Sequence, residues 1–63
     1  MSTIYLSPSE LAARHRVGVG HLANLRSQGT GLPYVKTGGR VLYRLEDVEL
    51  YEAAHYVQPL DAP

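Results

Sequence analysis

The chain has 63 residues, no cysteine and a formal net charge of zero. That length allows one domain near the lower limit for a core that folds unaided, and neither disulfides nor a thiolate zinc site can supplement it. No apolar run approaches membrane-spanning length, and residues 1–6 lack a basic stretch followed by a hydrophobic one, which predicts a soluble, unprocessed chain with no membrane partner. So short a chain also has little room to enclose a substrate.

Tyr5-Leu6 is a short apolar lead-in. Ser7-Pro8-Ser9-Glu10 then reads as a helix start, with Ser7 as cap, Pro8 at the first helical position and Glu10 completing a capping box. Leu11 and Ala12 face inward and Arg14 outward in this short first helix. His15-Arg16-Val17-Gly18 breaks the pattern, and Gly18 is an acceptable cap for a second helix. Leu22 and Leu25 mark its buried face, Gly20, His21, Asn24 and Gln28 the opposite one, and Gly29 its stop.

Residues 30–33 read as a loop. Tyr34-Val35-Lys36 and Val41-Leu42-Tyr43-Arg44 then form two strands joined by Thr37-Gly38-Gly39-Arg40, a hairpin signal. Leu45-Glu46-Asp47 opens a third helix with acids in its first turn, reaching about His55. The expected core is Leu11, Ala12, Val17, Leu22, Leu25, Leu32, Tyr34, Val41, Tyr43, Val48 and Tyr51. The fold class is therefore mainly α with a small β-hairpin, in the order of a winged helix-turn-helix. The domain spans residues 1–56, and residues 57–63 form a loose C-terminal tail.

The zero net charge conceals a segregation. All six basic residues, Arg14, Arg16, Arg26, Lys36, Arg40 and Arg44, lie in the middle of the chain, and no Asp or Glu occurs between residues 11 and 45. Five of the six acids, Glu46, Asp47, Glu49, Glu52 and Asp61, follow that stretch. A cationic middle beside an anionic end attracts a polyanion. Solvated surface charge is the alternative explanation of the same clustering.

Tyr5-Leu6-Ser7-Pro8-Ser9-Glu10-Leu11-Ala12, residues 29–33, Val35-Lys36-Thr37-Gly38-Gly39-Arg40 and Arg44-Leu45-Glu46-Asp47-Val48 together resemble the excisionase-like winged helix-turn-helix domains related to the MerR regulators. The likeness runs from about Tyr5 to Tyr51. It implies a phage or mobile-element excisionase, a recombination directionality factor that binds neighbouring sites cooperatively, bends DNA and directs an integrase towards excision. A small transcriptional regulator of the same fold is the alternative that the resemblance implies. The implied partners are double-stranded DNA, neighbouring copies of the chain and an integrase, in the cytoplasm of a bacterial or phage-infected cell. The chain departs from the family pattern at Arg16, where the turn often has glycine, at Gly18, where Ser or Thr usually caps, at Asn24, where arginine is frequent, and at Leu25, where tryptophan is common.

In such a fold the second helix enters the major groove with its N-terminal half, presenting Val19, Gly20, His21 and Asn24. Asn pairs with adenine, and His donates to a base acceptor or phosphate. Lys36 and Arg40 flank the small Thr37-Gly38-Gly39 tip of the wing, a shape that enters a minor groove, and the resemblance makes Arg40 the minor-groove residue. Arg14, Arg16, Arg26 and Arg44 are the candidate phosphate contacts. Tyr51, Tyr56 and Leu60 are apolar residues for contact with a neighbouring copy or an integrase.

No catalytic constellation assembles, and no cofactor or metal is expected. His15, His21 and His55 lack metal-ligand spacing on one helix face. Residues 31–37 lack the glycine that precedes the lysine of a phosphate-binding loop, and Ser7 and Ser9 suit capping better than nucleophilic attack. A winged protein-interaction module without DNA binding is the reading from another class.

Overall fold

A computed structural model describes residues 3–59. The elements run β1 (Tyr5–Leu6), α1 (Pro8–His15), α2 (Val19–Ser27), β2 (Val35–Thr37), β3 (Arg40–Arg44) and α3 (Leu45–Ala54). The strands form one antiparallel sheet in the order β1-β3-β2. The fold is thus three helices with a three-stranded sheet, one strand more than the hairpin expected from sequence. Tyr5 pairs with Arg44 and Leu6 with Tyr43, so the apolar lead-in is a strand. Two residues are too few to display the period-two alternation that marks a strand.

Local chemistry sets the helix ends. The Glu10 N–H donates to Ser7 Oγ at 3.1 Å and the Ser7 N–H to Glu10 Oε1 at 2.8 Å, closing the capping box that starts α1. α1 ends where Arg16 turns left-handed at φ 58°. The N–H groups of Arg16 and Val17 then donate back to the Ala13 and Ala12 carbonyls, at 3.3 and 3.0 Å. α2 starts at Gly18, which supplies no side-chain cap. It stops the same way as α1, with Gly29 left-handed at φ 73° and the Thr30 N–H donating to the Leu25 carbonyl at 2.9 Å.

Thr37 pairs with Arg40, which leaves Gly38 and Gly39 as the two turn residues, both at positive φ (56° and 76°). That is the turn whose twist matches a hairpin and which residues with a Cβ enter only at a cost. β3 passes into α3 without a loop, and the Leu45 N–H donates to the Ile4 carbonyl at 2.8 Å. α3 therefore starts against the N-terminal strand. Residues 55–59 follow it without a helix or strand, and residues 60–63, with Leu60 and most of the expected tail, lie outside the described residues.

The core is Leu11 and Ala12 of α1, Leu22 of α2, Leu32 of the loop, Tyr43 of β3 and Val48 of α3, with Leu6, Val41 and Tyr51 packed against it. Leu25 is half-buried. Two expected core residues are exposed instead, Val17 at 38 % and Tyr34 at 43 %. Val17 follows the reversal at Arg16 and lies in the turn between the helices, while Tyr34 precedes β2 and stays outside the sheet. No helix of the described residues is long and apolar enough to cross a membrane.

A left-handed non-glycine residue costs about 1 kcal/mol. Arg16→Gly is accordingly expected to raise stability by about 1 kcal/mol, seen as a melting temperature higher by roughly 4–8 °C. An unchanged or lower melting temperature would show that Arg16 is held without strain.

Candidate nucleic-acid interface

The exposed face of α2 and the hairpin tip hold most of the residues singled out from sequence. Val19, Gly20, His21 and Asn24 are all exposed, as are Lys36, Thr37, Gly38, Gly39 and Arg40. A Cβ placed at Gly38 or Gly39 meets nothing within 4 Å, so the space beside both turn glycines is open. The same holds at Gly20, which is inside α2 and has open space where a methyl group would go. A helical glycine costs about 1 kcal/mol relative to alanine. Among the described residues no neighbouring atom requires a glycine at this position.

The six cations divide into three kinds by their partners. Arg14 makes a two-toothed pair with Glu52 of α3, at 2.7 and 2.8 Å. Arg44 does the same with Asp47, at 2.8 and 3.0 Å, and lies 3.3 Å from Glu46. Arg26 is half-buried. It donates to the Tyr43 hydroxyl at 2.7 Å, and its guanidinium carbon sits 5.9 Å from the Tyr34 ring centroid. Arg16, Lys36 and Arg40 are exposed, and among the described residues no carboxylate lies within ion-pair distance of them.

Three of the four residues assigned to phosphate contact therefore already have partners inside the molecule. For Arg44 the partner is local, Asp47 lying three positions on, but for Arg14 and Arg26 the sequence offered no signal. Arg14 and Glu52 are 38 positions apart, and only the packing of α3 beside α1 joins them. The Arg26–Tyr43 bond likewise depends on the sheet lying against the C-terminal end of α2.

Glu52 also meets His15, whose Nε2 lies 2.8 Å from Oε2. The His15 ring stacks on Tyr51, and Tyr51 stacks on His55 with centroids 4.0 Å apart. This cluster ties the end of α1 to α3. Among the described residues no three His, Asp or Glu side chains converge as metal ligands. An open cleft of about 430 Å³ lies beside the end of α2 and the loop that follows it, lined by Arg26, Gly29, Thr30, Gly31, Leu32, Pro33 and Tyr34. Its walls contain one cation and no carboxylate or imidazole.

The hydrogen bonds from Arg14, and secondarily His15, hold the Glu52 carboxyl at about 2, below its ordinary 4.5. Between those values the unfolded chain takes up a proton that the folded chain refuses. The stability this carboxylate contributes is therefore complete above pH 4.5 and disappears as pH falls towards 2. Melting curves across that range should show the native chain losing stability more steeply than Glu52→Gln. Parallel acid profiles would show that the α1–α3 tie contributes nothing.

No protein family, curated protein or solved structure matches the chain.

Proposed function

We propose that this chain is a winged helix-turn-helix DNA-binding protein that acts as an excisionase, binding adjacent sites cooperatively and bending DNA for an integrase. The observation that carries the reading is the hairpin tip. Lys36 and Arg40 flank two glycines, each with open space where a Cβ would stand, and neither cation has an acidic partner among the described residues. A tip of that shape and charge suits the narrow, electronegative minor groove, where arginine reads width more than base identity.

Two costs paid in the folded chain support the same reading. Arg16 keeps a strained backbone in the turn before α2, and Gly20 weakens α2 where a methyl group would fit. Departures from local rules without a structural gain concentrate at functional sites. In the proposed complex Arg16 contacts a phosphate, and Gly20 lets the α2 backbone approach the major groove closely. Val19, His21 and Asn24 meet base edges or phosphate, and Arg14, Arg26 and Arg44 help only where DNA replaces or tolerates their present partners.

With Arg16, Lys36 and Arg40 as the main contacts, the logarithm of affinity should fall against the logarithm of salt with a slope of about −3 per monomer. Arg40→Ala should weaken binding to attachment-site DNA and make that slope shallower by about 1. Unchanged affinity and slope would remove the wing from the mechanism, and absence of binding by the native chain would leave a protein-interaction module.

Gel shifts on DNA holding several sites separate the excisionase from a transcriptional regulator. Cooperative bands accompanied by bending are expected. Independent, non-bending occupancy of a single operator would establish the regulator instead.

A further inference from the structure

The same surface has a chemical bias in which bases it can read. Guanine is read in the major groove by Arg or Lys, cytosine by Asp or Glu, adenine by Asn or Gln, and thymine by apolar contact with its methyl group. α2 has one arginine, Arg26, and it is turned inward onto the Tyr43 hydroxyl and the Tyr34 ring. No carboxylate exists between residues 11 and 45 to accept from cytosine. Besides Gly20, which has no side chain, and Ser27, whose hydroxyl suits any base, α2 exposes Val19, at 46 %, and Asn24. These are a methyl-contacting side chain and an adenine-pairing amide. His21 also faces outward, and its imidazole meets a phosphate or the N7 acceptor that both purines present.

The wing contributes an independent preference of the same sign. A·T tracts narrow the minor groove and deepen its negative potential, which favours an inserted arginine. The guanine 2-amino group protrudes from the floor of that groove and marks G·C pairs there. Arg40, exposed at the open tip and without an ion-pair partner among the described residues, is the side chain that would sense this.

We infer that the chain selects A·T base pairs in both grooves, through Val19 and Asn24 in the major groove and Arg40 in the minor groove. The inference rests on the DNA-binding reading above. It adds which class of duplex that surface prefers.

Four duplex pools of mixed sequence separate the contributions by fluorescence anisotropy. One contains only A·T pairs and one only G·C pairs. A third pairs inosine with cytosine, which keeps the major groove of G·C but removes the 2-amino group. A fourth pairs 2,6-diaminopurine with thymine, which keeps the major groove of A·T but adds that group. The A·T pool should bind tightest, the G·C pool weakest, and the two hybrids between them.

Arg40→Ala should erase the difference between the A·T and diaminopurine·T pools. Asn24→Ala should reduce the preference for A·T over inosine·C by about tenfold. Replacing thymine by uracil should weaken the native chain about fourfold per methyl group contacted, and Val19→Ala much less. Circular dichroism of each variant checks that it folds. Equal or tighter binding of the G·C pool, or discrimination that survives all three substitutions, would overturn the inference and leave DNA binding intact. Absence of salt-dependent binding to every pool would overturn both.

Discussion

The Tyr43 phenol is the point on which the rest of the molecule converges. It is 1 % exposed in the central strand, opposite Leu6 of β1, and shares the core with Leu11, Leu22, Leu32 and Val48. Its hydroxyl needs a partner when buried, and Arg26 supplies one at 2.7 Å. That bond fixes the end of α2 against the sheet from which the hairpin projects. One buried aromatic thus sets the relation between the two surfaces assigned to DNA. It also withdraws from α2 the side chain best suited to reading guanine.

The charge pattern has a comparable internal economy. Acids and bases that are segregated along the chain meet again in space, because α3 returns Glu52 to Arg14 and places Glu46 and Asp47 beside Arg44. Segregation in sequence is therefore only partly segregation on the surface. The cations left without a partner among the described residues lie in the helix-linking turn and beside the hairpin tip, where the backbone itself is unusual.

Legibility from sequence followed the range of the interactions. The capping box of Ser7 and Glu10, the glycine stop of α2 and the Gly38-Gly39 turn are local chemistry, and each is found where the residues announce it. The glycine that the family resemblance expects at position 16 corresponds to a left-handed backbone there, so Arg16 shows as strain what the sequence showed as a mismatch. Strand β1, the Arg14–Glu52 pair and the Arg26–Tyr43 bond join distant segments and leave no periodicity to read. Tyr34 differs because an aromatic residue beside a strand looks like a strand residue, whereas it precedes β2, is 43 % exposed and lines the open cleft after α2.

With six buried core side chains among the described residues, the folded state is expected to stand only a few kcal/mol ahead of the unfolded one, roughly 3–5. Anything that binds the folded form alone at about a hundred times its dissociation constant adds about 2.7 kcal/mol, a large fraction of what so small a core provides. A copy held by such a partner is therefore expected to open to proteases less often than a free one. The size of the hydrophobic centre thus ties how long a copy stays folded to whether it is engaged.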